Sequence, residues 1–169
     1  VTVPTLSELE QKRVWDGWLS AEIATLYFAD LAGVYRHRRR LTTWLVLLLS
    51  SGAATAAVGK LTAEWSSWLA VGLALLAAAL SGYDLVADNQ KHEGECRELH
   101  FRWNRLASAY ERLWDDMYTD DAAARLDALE RRTAELSKAS TAFPAQRWRL
   151  ERWQTHVEMQ HGARGVRVG

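Results

Sequence analysis

The chain has 169 residues, enough for one domain or slightly more, and its 21 lysines and arginines balance 21 aspartates and glutamates. That balance creates no global field to draw in a polyanion, which argues against a general nucleic-acid binder. Only two prolines and ten glycines interrupt the chain, no segment alternates like a strand between turn signals, and a single cysteine excludes an intramolecular disulfide.

The first predicted element opens at Ser7 and Glu10, three residues apart and just after Pro4, the spacing of a capping box. Leu19, Ile23, Leu26, Tyr27, Leu31 and Val34 follow on one helical face. Glu8, Glu10, Asp16, Glu22 and Asp30 fall early, so no cleaved signal peptide is expected. Residues 1–40 thus read as an amphipathic amino-terminal region. It ends in YRHRRR, where Arg36, Arg38, Arg39 and Arg40 crowd into five positions.

Two uncharged stretches come next, LTTWLVLLLSSGAATAAVG at 41–59 and WSSWLAVGLALLAAALSGY at 65–83, each nineteen residues long. As helices they would span roughly 28 Å, close to the hydrocarbon thickness of a bilayer. Trp65 and Trp68 mark one end, and Trp44 and Tyr83 the other, as an aromatic belt would. A soluble bundle seldom buries two such runs, since one flank of a helix usually meets water. Residues 41–87 therefore read as a transmembrane hairpin joined by KLTAE. The arginines before it are expected to meet lipid headgroups and to hold that side in the cytoplasm, rather than to bind nucleic acid.

Both stretches carry small residues at helical spacing. Ser51, Gly52, Thr55, Ala56 and Gly59 share one face, and Ser67, Ala70, Ala74, Ala77, Ser81 and Asp84 share another. Small faces let helices approach closely in lipid. They can pack within one hairpin, or several hairpins can form a ring lined by Ser, Thr and Gly. Ser51, Gly52, Thr55, Gly59, Ser67, Ala74, Ser81 and Asp84 are the candidates for packing or for a pore lining. Asp84 is either a cation-attracting mouth or simply the first solvated residue beyond the membrane.

Residues 88–161 read as a cytoplasmic helical region. From Cys96, the residues Leu99, Trp103, Leu106, Tyr110, Leu113 and Met117 keep a 4,3,4,3,4 spacing, a coiled-coil-like seam expected to join subunits. A helix running unbroken from 67 to 96 would align that seam with the small face, unless Gly94 breaks it. A turn over Tyr118 to Asp121, with Asp120 or Asp121 as N-cap, leads to Ala122, Leu126, Leu129, Thr133 and Leu136. A last helix starts near Pro144 with Trp148, Leu150, Trp153 and Val157, and residues 162–169 are expected to be disordered.

Signs of catalysis are absent: no P-loop, no GxGxxG after a strand, no GxSxG. His92, Cys96 and His100 stand four apart, a spacing able to share a metal. Cys96 also falls on the apolar seam, and the cluster is read as packing. Neither an enzyme, a metal nor a cofactor is expected.

This layout resembles the SLATT family, the SMODS- and SLOG-associating two-transmembrane effector domains. The resemblance spans roughly residues 20–160 and rests on YRHRRR, a tight hairpin, and a long helix with WNRLASAYERLWDDM; Tyr35, Arg39, Trp103, Leu106, Tyr110 and Leu113 are the matching positions. It implies an all-α fold, a transmembrane hairpin with a cytoplasmic helical bundle or coiled-coil-like extension, assembled as a homo-oligomer. It further implies an effector of bacterial anti-phage or conflict systems, perforating the inner membrane on an intracellular signal. A sensor, nucleotide synthase or reverse transcriptase, or a nucleotide second messenger, would act as partner, since the chain is expected to carry no fused sensor. Two other readings stand beside this one: a non-conducting membrane scaffold that recruits an enzyme, and a soluble helical interaction protein.

Overall fold

A computed structural model describes residues 6–58 and 64–165, with side chains described except at 52–58, 64–67, 69–70, 84–86 and 163–165. The fold is all-α. Five helices follow in order, α1 Glu8–Val58, α2 Glu64–Ala87, α3 Asn89–Asp115, α4 Ala122–Ser140 and α5 Arg147–Gly165, with no strand among the described residues.

Helix α1 starts as its sequence predicts. The Ser7 amide donates to Glu10 Oε2 at 2.8 Å, and the Glu10 amide donates back to Ser7 Oγ at 3.3 Å, closing a reciprocal capping box. The composition changes at residue 40, but the backbone does not. Arginine and leucine are good helix formers, and the Thr42 and Thr43 hydroxyls donate to the carbonyls of Arg38 and Arg39 at 2.9 Å each, remaining inside the helix.

Between α2 and α3 the expected continuous helix fails, though not at Gly94. The break is Asp88, whose φ of 43° lies in the left-handed region. Aspartate tolerates that conformation better than most residues, because its short side chain can bond locally. Gly94 lies inside α3 with no neighbour in contact range of an added Cβ. The helical phase linking small face and seam is thus interrupted.

Helix α4 begins where predicted, with Asp121 at the N-cap, but the Asp121 side chain makes no capping bond. The turn is held from before it. Thr119 Oγ1 donates to the Asp116 carbonyl at 2.9 Å, and Arg125 bonds Asp116 Oδ2 at 3.2 Å. Helix α5 extends to Gly165, three residues past Gly162; residues 166–169 lie outside the described ones.

The chain divides into two compact units, one made of residues 1–30 and 96–169, the other of residues 31–95. The first has a true core. Leu99, Trp103, Leu106, Tyr110 and Leu113 of α3 are all buried, together with Leu126, Leu129 and Leu136 of α4, Val14, Trp18 and Phe28 of α1, and Val157 of α5. Two cross-helix bonds, Trp103 Nε1 to Ser140 Oγ at 3.1 Å and Tyr110 OH with Thr133 Oγ1 at 3.0 Å, fix α3 and α4 as antiparallel neighbours. Arg13 of α1 reaches Glu130 of α4, and Asp30 of α1 pairs with Arg149 of α5.

The seam residues contribute to this core. The 4,3,4,3,4 spacing does mark one apolar face, but from Leu99 to Leu113 that face is consumed by the chain's own helices. None of those five side chains is left exposed for a second copy, and Met117, past the end of α3, is half-buried. The reason is connectivity: a turn of six residues returns the chain as α4, and a helix brought back so directly covers the face beside it.

The second unit is the opposite. Its buried residues among those described are Leu31, Ala32, Ala77, Asn89 and Glu93. Most of its large apolar side chains are bare.

Candidate functional site

The bare surface belongs to α1 beyond residue 40 and to α2. Trp44 is 65% exposed, Leu48 66%, Trp68 77% and Leu75 66%, and Leu41, Leu47, Val71, Leu76 and Tyr83 are each more than half exposed. Burying such side chains is worth roughly 1.5–3 kcal/mol apiece, and monomers in water rarely leave so many uncovered together.

The small residues expected to pack or line a pore fall here only in part. Ser51, Ala74 and Ser81 are exposed. Ser51 Oγ donates to the Leu47 carbonyl at 2.7 Å and Ser81 Oγ to the Ala77 carbonyl at 2.9 Å, so each hydroxyl is satisfied within its own helix. The side chains of Thr55, Ser67 and Asp84, the surroundings of Gly52, and the whole of Gly59 lie outside the described residues. Among the described residues, no helix is long and apolar enough to cross a membrane. The two uncharged stretches each run through positions outside that description.

The arginines at the start of this surface divide. Arg36 Nε meets Glu93 Oε1 at 3.1 Å, and an Arg39 nitrogen lies 3.9 Å from Glu93 Oε2. Tyr35 and His92 rings pack beside this pair with centroids 5.4 Å apart. Arg38 and Arg40 stay exposed, their guanidinium groups without an ion pair among the described residues. Of the four arginines expected to meet headgroups, two are therefore tied to Glu93. That carboxylate, buried and 57 positions from Arg36, was invisible in the sequence because nothing local marks so distant a contact.

The spaced trio His92, Cys96 and His100 finds separate partners. His92 Nδ1 lies 3.4 Å from Glu95, Cys96 is fully buried, and His100 Nδ1 is 3.0 Å from the Thr25 carbonyl. No group of three or more His, Cys, Asp or Glu side chains among the described residues is placed to hold a metal ion.

The first unit carries a feature the sequence reading missed. Arg102 and Arg105 of α3 face Arg132 and Glu135 of α4 across a groove of about 300 Å³, with Leu106 and Leu136 beneath. Both leucines are buried, whereas all four charged residues are exposed. Among the described residues none of these arginines forms an ion pair, and neither does Glu135. The signal was present as Arg at i and i+3 in FRWNR, but only the antiparallel return of α4 sets Arg132 opposite.

A second buried cluster surrounds His161 of α5. The rings of Trp15 and Trp18 lie 6.0 and 5.1 Å from it, and Trp114 packs on Trp15 at 5.3 Å. His161 Nε2 lies 2.7 Å from Glu22 Oε2, yet neither atom is aligned for a hydrogen bond. The separation is short but the direction is poor, so the contact is one of proximity.

No protein-family model, curated protein or solved structure matches this chain.

Proposed function

We propose that the chain is a membrane effector of a bacterial conflict system, with residues 41–59 and 65–83 forming a hairpin in the inner membrane and both flanking regions in the cytoplasm. The observation that carries this reading is the bare apolar surface from Leu41 to Tyr83 in one unit, while the other unit has a fully formed core. A chain that packs one part so well and leaves the other uncovered is built for two solvents. The resemblance to SLATT domains supports the same assignment and supplies the activity: assembled hairpins leak ions when an intracellular partner or second messenger acts.

Serine hydroxyls bonded to their own helix suit either lipid or a helix contact, because they carry no unmet donor into an apolar medium. The exposed Ala74 and Ser81 are then free to meet neighbouring hairpins. Induced expression should collapse the membrane potential, read with a voltage-sensitive dye, and Ala74→Leu or Ser81→Leu should abolish the collapse by holding helices apart. Depolarisation unchanged by both substitutions would remove the pore.

A non-conducting scaffold is the second reading, and the inward-turned seam favours it, since the expected subunit contact is used within the chain. Ion flux from proteoliposomes separates the two, a scaffold leaving them sealed. Brominated lipids should quench Trp44 and Trp68 under either reading. Recovery of unquenched protein without detergent would instead indicate a soluble interaction protein.

A further inference from the structure

We infer that the groove between α3 and α4 binds a small molecule bearing phosphate, held by Arg102, Arg105 and Arg132 over the apolar floor of Leu106 and Leu136. The groove lies wholly within one unit and does not rest on the membrane reading.

The charge argument comes first. Several arginines elsewhere are engaged, Arg13 with Glu130, Arg36 and Arg39 with Glu93, Arg125 with Asp116, Arg149 with Asp30. Arg38, Arg40 and Arg131 stand singly without an ion pair among the described residues; what marks the groove is that three such arginines line one space. Arg102, Arg105 and Arg132 all line the groove, and none of them forms an ion pair among the described residues. Even Glu135, which lines the same space, forms no ion pair with them among the described residues. Three positive charges against one negative leave the groove two positive, the complement of a phosphomonoester dianion or of two phosphodiesters. Guanidinium is the side chain whose planar fork matches phosphate oxygens in pairs.

Preorganisation comes second. The bonds Trp103 to Ser140 and Tyr110 to Thr133 tie the two helices at two levels. Leu106 lies three residues from one tie and four from the other on α3, and Leu136 repeats that spacing on α4. The groove thus sits midway between two fixed rungs, and its walls keep their separation when a ligand enters. A volume of about 300 Å³ is at the lower end of small-molecule sites. The leucine floor gives a flat or aliphatic part of the ligand an apolar seat, so an ester gains apolar contact in addition to what the phosphate alone gains from the arginines.

The full chain in neutral detergent, titrated calorimetrically with inorganic pyrophosphate, tests this. Binding should weaken about 10-fold in Arg105→Gln and in Arg132→Gln, as expected for loss of one charge-assisted pair. Glu135→Gln should tighten it several-fold by removing a like charge. Arg131→Gln, on the same helix but outside the groove, should leave it unchanged. Absence of pyrophosphate binding, or equal weakening in the Arg131 variant, would overturn the proposal. Competition identifies the source of the phosphate. Displacement by short-chain phosphatidylglycerol points to a lipid headgroup, whereas displacement by a nucleoside monophosphate alone points to a soluble ester; both outcomes support the site.

Discussion

Gly17 sits inside α1, beyond its first two turns, where helix propensity alone says that alanine would be better by about 1 kcal/mol. The structure reverses that sign. A Cβ at residue 17 would stand 2.6 Å from Cζ and 2.7 Å from Cε1 of Tyr110, about 1 Å inside ordinary carbon contact. Tyr110 is essentially fully buried, and its hydroxyl is held by Thr133, whose own hydroxyl donates to the Leu129 carbonyl at 2.9 Å. The ring can yield only by leaving that bond or by pushing α1 outward. Overpacking costs about 1–3 kcal/mol, and loss of the hydrogen bond about 1 more. Net of propensity, Gly17→Ala should destabilise the first unit by about 1–3 kcal/mol, read from denaturant melts of the detergent-solubilised chain. In a Tyr110→Leu background the obstructing ring atoms are gone, and the same substitution should become neutral or stabilising. An equal cost in both backgrounds would refute the contact as the cause.

Arg149 and Asp30, only 13% and 26% exposed, join α5 to α1, and Arg149→Ala should cost about 1–2 kcal/mol after allowance for solvent screening, measured in the same melts. The Ser7 hydroxyl, and next its amide, hold the Glu10 carboxyl below its ordinary value of 4.5. Its contribution to helix stability is therefore present above that value and lost as the pH falls through the lowered one, and carboxyl NMR of Ser7→Ala, which keeps the amide, should show Glu10 rising only part of the way back. Burial raises the Tyr110 hydroxyl above 10, outweighing the bond with Thr133. Here the folded state holds its proton more tightly, so stability is intact below pH 10 and erodes as the pH climbs through the raised value. Phenolate absorbance in wild type minus Tyr110→Phe should show that late titration.

Local physics was legible in the sequence. The capping box at Ser7, the start of α4 and the apolar face from Leu99 to Leu113 each follow from spacings of three and four residues, and each appears as read. What the seam packs against was not legible, because periodicity marks a face and says nothing about its partner. Gly94 looked like the helix breaker on intrinsic preference, yet Asp88 is the break, since a glycine in a helix costs only about 1 kcal/mol and tertiary packing overrides it. Glu93 with Arg36, and Arg132 across from Arg102 and Arg105, depend on contacts made only after the chain turns back. Long-range charge pairing leaves no local trace.

Asp88 also has a bearing on how such chains change over evolutionary time. One residue inserted within α1 would turn every later side chain of that helix by about 100°. At the α2–α3 junction the winding already restarts, and an extra or missing residue there resets no completed turn. Length differences among descendants of this sequence should accumulate at residue 88 and be purged from the helix that opens the chain.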